Sequence, residues 1–294
     1  MSRLKTVGSL CLVALVVLSG CAAFESGDSG TPAATSSTDG PATGQSNGQT
    51  ATATQTPELT PASIDHPSGW NESGIADGLE AYHAHYEALY TYNSFTRIER
   101  SPYLEPHQTL SSIGRYDQDA KLLDIAYNVT ENGSTIMEQG EYQSEKQYYF
   151  MNGTDSRNFE HAERYSYDSY MKHRTNKPYA RSGPVYYAVS DVHYDGAERI
   201  VRDGETMFEY QSNELQPNGT LSFVPPVLGE TTAQEFSMTT IVDGDGMIRH
   251  IEYEITYTIA GRGTFTRTGR LEFTKLDDTT VNEPDWLEDA KAAS

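Results

Sequence analysis

The chain has 294 residues, with 42 acidic against 21 basic side chains and a formal net charge of −21. A surface of that sign repels nucleic acid and anionic membrane, which argues against either as a partner held by surface charge. Both cysteines, Cys11 and Cys21, lie near the N-terminus, so nothing after Cys21 can form a disulfide or a thiolate metal site.

Acid excess with scarce lysine suits a protein that works in concentrated salt, where a Debye length of about 3 Å screens self-repulsion. At the N-terminus, Arg3 and Lys5 precede an apolar run from Val7 to Leu18. A spanning helix needs about 20 residues, so the run is too short and reads as a signal peptide over residues 1–20. Leu18-Ser19-Gly20-Cys21 resembles the lipobox that a lipoprotein signal peptidase reads, with Ser19 and Gly20 as the small residues. Cys21 is the expected lipidation site, its thiol being the nucleophile that takes the lipid. No Arg-Arg pair precedes the run, which favours the general secretory route. The expected place is the outer face of the cytoplasmic membrane, lipid-anchored, with the remainder extracellular.

Residues 21–68 are dominated by Ala, Ser, Thr, Gly, Gln and Pro. Such a segment cannot bury apolar surface and is expected to be a disordered tether. Within it Gly27-Asp28-Ser29-Gly30 spells a serine-protease-like GDSG. A catalytic Ser needs a rigid oxyanion hole and a positioned His, which a tether does not supply.

A single α+β domain is expected over 69–290, with a tail at 291–294. Asp77 and Glu80 have capping-box spacing, and Leu79, Tyr82, Tyr86 and Leu89 follow as one apolar face of a helix reaching Tyr92. His83 and His85 lie two apart, cannot share a metal, and read as solvated or rim residues. From Ser94 the period is mostly two, with short strands expected at 94–100, 121–129, 134–142, 146–151, 163–172, 197–202 and 205–211. Pro184 opens a short helix carrying Val185, Ala188, Val189 and Val192. Residues 236–276 read as a three-strand meander, turning at Asp243-Gly244-Asp245-Gly246 and Ala260-Gly261-Arg262-Gly263. In its middle strand Ile251, Tyr253, Ile255, Tyr257 and Ile259 share one face, and Glu252, Glu254, Thr256 and Thr258 the other. The fold class is therefore α+β: a curled antiparallel sheet, a half-barrel, packed on an N-terminal helix with a second short helix.

NESGIADGLEAYHAHYEAL, following a lipobox and a Thr-rich tether, resembles an uncharacterised family of haloarchaeal lipoproteins. That resemblance implies an isoprenoid diether on Cys21, a two-chain anchor of the stable kind. The closing VDGDGMIRHIEYEITY…GRLEFTKLDDTTVNEPDW resembles the end of LolA-like and LppX-like lipoprotein or lipid carriers, whose half-barrel surrounds a helix and an apolar cavity. Fold alone does not fix function.

Catalytic signatures do not appear. There is no HExxH, GxSxG, P-loop or strand-borne GxGxxG, and Asp243-x-Asp245-Gly246 lacks the ligands of a calcium loop. No enzyme activity, cofactor or metal is expected. Five sequons make Asn71, Asn128, Asn132, Asn152 and Asn218 candidate N-glycosylation sites. Twenty tyrosines cluster largely in strands. Sheet packing accounts for them, and an aromatic groove for an amphiphile or a sugar is the sharper alternative. The candidate ligand-facing residues are Tyr253, Ile255 and Tyr257 on the meander, with Leu79, Tyr82 and Tyr86 on the helix. The expected function is a monomeric, surface-anchored binding or carrier module for an apolar or amphiphilic ligand such as a lipid. The alternative is an envelope structural or interaction lipoprotein with no small-molecule ligand.

Overall fold

Tight turns order the sheet. Asn132-Gly133 and Asp203-Gly204 both place two consecutive residues at positive φ (51° and 83°; 55° and 83°). That is the geometry whose twist matches antiparallel strands. The computed structural model describes residues 65–145, 147–153, 157–163, 167, 183–216, 223–224 and 230–293. The signal segment, Cys21, almost all of the tether, Asn218 and most of the expected strand at 163–172 lie outside them.

A small hairpin, β1 (Trp70–Asn71) and β2 (Gly74–Ile75), precedes helix α1 (Gly78–Leu89). Six sequential strands follow: β3 (Ser94–Pro102), β4 (Gln108–Asp117), β5 (Leu122–Glu131), β6 (Ser134–Ser144), β7 (Gln147–Asn152) and β8 (Asn158–Glu163). Helix α2 (Pro184–Ser190) leads to β9 (Val192–His193), β10 (Gly196–Arg202), β11 (Glu205–Ser212) and β12 (Glu214–Leu215). The meander is β13 (Thr231–Asp243), β14 (Ile248–Ile259) and β15 (Gly263–Thr274), and α3 (Leu287–Ala292) comes last. Among the described residues, eleven strands form one unclosed antiparallel sheet in the order β10-β11-β13-β14-β15-β3-β4-β5-β6-β7-β8. Pairing of β15 with β3 joins the two wings, with Leu271 opposite Glu99 and Phe273 opposite Arg97. The α+β half-barrel read from the sequence is the fold observed.

Asp77 caps α1, its Oδ1 accepting from the backbone N–H of Leu79 and Glu80 at 3.0 Å. The other half of the capping box is diverted, since Glu80 accepts from Ser68 Oγ at 2.6 Å. The helix stops at Leu89, one turn short of Tyr92. It buries Ala81, Tyr82, Ala84, His85, Ala88 and Leu89. Leu79 falls outside that arc and is 50% exposed, which corrects its place on the apolar face. His85 corrects the other way: it is fully buried, and its Nδ1 accepts from the Ile248 N–H at 3.0 Å, fixing α1 to the start of β14. In α2, Val185, Ala188 and Val189 are buried as their spacing predicts. Tyr194 Oη donates to the Ala188 carbonyl at 2.9 Å and lies 2.9 Å from Thr240 Oγ1, tying α2 to the sheet.

Strands β4 and β8 and helix α3 were not foreseen. On the outer face of the sheet, Trp286, Leu287 and Ala290 form a second small core with Tyr142 and Met151. Trp286 occupies the space above Gly140, where an added Cβ would meet its ring at 2.8 Å.

Candidate functional site

The candidate site is the concave face of the sheet, the face that receives α1 and α2. On β14, Ile251, Tyr253, Ile255, Tyr257 and Ile259 are all buried on this face, as the alternation predicts. Their neighbours on β13 are Thr240, Met238 and Phe236, opposite Ile251, Tyr253 and Ile255. On β15 they are Leu271, Gly269, Arg267 and Phe265, opposite Ile251, Tyr253, Ile255 and Tyr257. Aromatic rings close over this floor. Phe223 lies 4.9 Å from Tyr253 and 5.2 Å from Phe236, and Tyr187 of α2 lies 5.6 Å from Phe223.

Charged groups interrupt the apolar floor. Arg97 and Glu99 alternate with Phe95 on β3 and so point to the same face. They form an ion pair whose side chains keep 20% and 12% of their exposure, so solvent reaches both. Ser112, opposite Glu99 on β4, is 2% exposed, and its hydroxyl has no hydrogen-bond partner. Arg267, on β15, donates from Nη1 to the Tyr103 carbonyl at 3.0 Å and from Nη2 to the Glu105 carbonyl. It is 4% exposed because the β3–β4 loop covers it, and its Nε is unpartnered. The guanidinium sits 5.8 Å from the Tyr257 ring centroid. The buried Tyr257 hydroxyl lies beside this guanidinium, near enough for the two groups to interact directly.

Burial sets the ionisation on this face. It raises the Tyr253 and Tyr257 phenols, against the opposing pull of Arg267, and lowers the Arg267 guanidinium. Neutral phenols and a guanidinium held against carbonyls make a surface that offers hydrogen bonds. Among the described residues no three His, Cys, Asp or Glu side chains come together as a metal site.

The structure brings Tyr253, Ile255, Tyr257 and Tyr82 into one core, with Tyr86 half-buried against it. Leu79 lies elsewhere, in a surface groove on α1 lined also by Ser68, Asp77, Glu80, His83, Ala84 and Glu87. Of the sequon asparagines, Asn71, Asn132 and Asn152 are exposed, whereas Asn128 sits within β5 between two paired strands, its Oδ1 buried without a partner. Arg97, Glu99, Ser112 and Arg267 were not singled out from the sequence. Their signal was the parity they share with Phe95, Tyr116 and Leu271 on their own strands.

The model of a protein family described as a family of unknown function, DUF7537, matches residues 6–290, so the chain belongs to that family. Two solved structures are similar in fold. Lipoprotein LppX of Mycobacterium tuberculosis is 12% identical, with a TM-score of 0.37, and the match covers 70% of this chain and 97% of that one. LprF from Mycobacterium bovis is 9% identical, with a TM-score of 0.35, over 71% of this chain and 96% of that one. No curated protein matches the chain.

Proposed function

We propose that this member of the DUF7537 family is a lipid-anchored extracellular module that binds an amphiphile on the concave face of its sheet and performs no reaction on it. One observation carries the reading. An apolar floor of Ile251, Ile255, Phe236 and Met238 shares its face with a buried hydroxyl that has no partner, Ser112, beside the part-exposed Arg97–Glu99 ion pair. A buried polar group without a partner costs free energy, and most such groups in folded proteins are satisfied. An amphiphile with an apolar body and a polar end supplies both kinds of contact at once. The anchor is Cys21, which follows a run too short to span a membrane. The charge of −21 fits work in concentrated salt.

Native purification in high salt, solvent extraction and mass spectrometry test the reading. A stoichiometric amphiphile supports it. An empty, folded domain overturns it and favours a structural or interaction role in the envelope. Cys21→Ser tests the anchor separately: the protein should leave the membrane fraction, and retention there would sink the lipidation.

A further inference from the structure

Strand β10 is one edge of the eleven-stranded sheet, and among the described residues β11 is its one strand partner. Native edges are usually blunted by charge, proline or cover, because open N–H and C=O groups template further pairing. This edge carries charges of both signs, on Glu198, Arg199 and Arg202, and between them Val201 is 73% exposed. The hydrogen-bonding parity of the edge is fixed at both ends. Ala197 turns its N–H away from β11 and donates to the Glu72 carbonyl at 3.0 Å. Arg202 and Glu205 flank the two-residue Asp203-Gly204 turn as opposite partners, so the main chain of Arg202 faces β11. Between these ends the main chains of Arg199 and Val201 point outward, and those of Glu198, Ile200 and Arg202 point inward.

The occupant follows from charge. We infer that the free edge pairs with the β10 strand of a second copy of this chain, antiparallel about a two-fold axis at Ile200. In that register Arg199 stands opposite Val201 of the other copy, the outward main-chain groups meet, and four hydrogen bonds form across the axis. Glu198 then faces Arg202 twice, and Ile200 faces Ile200. The pairs with closer side chains in an antiparallel ladder are the ones that carry these contacts. Shifting the axis to Arg199 sets Arg199 against Arg199 and Glu198 against Ile200. Shifting it to Val201 removes the Glu198–Arg202 pair. The register at Ile200 alone of these three joins opposite charges and opposes no like ones. The inferred assembly is a two-fold dimer, where the sequence alone led to the expectation of a monomer.

The test uses the full chain in about 1 M salt, where the Debye length is about 3 Å and the large net charges no longer hold the copies apart. Facing residues at Ile200 would have Cα atoms about 4.5 Å apart, within disulfide reach. Ile200→Cys should therefore crosslink to a dimer under mild oxidation, well above the parent chain and above Val201→Cys, whose thiols are offset along the strand. In sedimentation, Glu198→Arg should weaken the dimer about two- to threefold by facing like charges twice, the effect left to exposed pairs in this salt, and Glu198→Arg combined with Arg202→Glu should restore it. All these positions are at an exposed edge, and circular dichroism checks that each variant stays folded. A parent chain that remains monomeric while Ile200→Cys crosslinks no better than Val201→Cys overturns the inference. So does a charge swap that fails to restore the dimer.

Discussion

The ring of Tyr253 lies flat over Gly269, its opposite partner across β14 and β15. A Cβ added at Gly269 would sit 2.2 Å from the ring carbons. The glycine is therefore a seat for the aromatic ring, as Gly114 is for Tyr116, which there lies two residues along the same strand. The ring laid down in this way keeps its hydroxyl within the field of both Glu99 and Arg267.

Gly269→Ala consequently has a sign opposite to ordinary strand propensity. Alanine in a strand normally loses less entropy than glycine, but here the added methyl overlaps a buried ring. The expected loss is about 1–3 kcal/mol, the range for overpacking a core, read as a lower urea midpoint. An unchanged or raised midpoint would mean that the ring does not rest on this glycine.

His85 gives the fold a pH dependence of definite sign. Burial, reinforced by nearby Arg97, pulls its pKa down from 6.5 to about 3. The folded state thus keeps the imidazole neutral while the unfolded state takes up a proton below about pH 6.5. Stability contributed by this group is present above pH 6.5 and drains away as the pH falls toward 3, by about 5 kcal/mol at the most. His85→Gln can still accept from the Ile248 N–H but cannot titrate. The difference between parent and variant urea midpoints should therefore narrow steadily from pH 7 to pH 4, isolating His85 from the carboxylates. A difference that does not change with pH would refute the assignment.

The strongest elements were legible where one face is wet. In β14 the alternation of Ile and Tyr with Glu and Thr fixes both the strand and its buried side. Strand β4 escaped notice because its concave residues run Leu110, Ser112, Gly114 and Tyr116. Ser112 and Gly114 break the apolar alternation, and Gly114 is small because the Tyr116 ring fills the space above it, a fact available only once the strand exists. The buried arc of α1 is built largely from Ala81, Ala84, His85 and Ala88, which carry little apolar signal, so Leu79 was drawn into the wrong face. The charged members of the candidate site were hidden for a different reason. Arg97 and Glu99 look like a solvated pair in isolation, and only their parity with Phe95 and pairing with Phe273 and Leu271 turn them inward.

The sequons should divide by geometry. Asn132 sits at the tip of the β5–β6 hairpin, and Asn152 closes β7 just before Gly153. Asn71 is exposed, its Oδ1 accepting from the Ser73 N–H at 2.8 Å. Asn128, in contrast, is held within the sheet between Ser111 and Glu138. Glycopeptide mass spectrometry of native material should find occupancy at Asn71, Asn132 and Asn152 and none at Asn128. A modified Asn128 would show that the sugar is added before the sheet closes.

Two arginines hold the β3–β4 loop against the last hairpin, and they should differ sharply in worth. Arg262 meets Glu105 at 2.6 Å, with both side chains about two-fifths exposed. An exposed pair of this kind contributes less than about 1 kcal/mol, so Arg262→Gln should hardly move the melting curve. Arg267 is buried and satisfies two main-chain carbonyls, of Tyr103 and Glu105. Replacing it with Gln strands at least one of them and should cost about 1–3 kcal/mol. The local signature is amide exchange at Gln108, whose N–H donates to the Glu105 carbonyl at 3.0 Å, and at Tyr103, whose N–H donates to Gln108. Arg267→Gln should speed exchange at both amides while leaving the β13–β14 hairpin protected. Equal effects from the two variants would mean that burial under the loop adds nothing to the hold of Arg267.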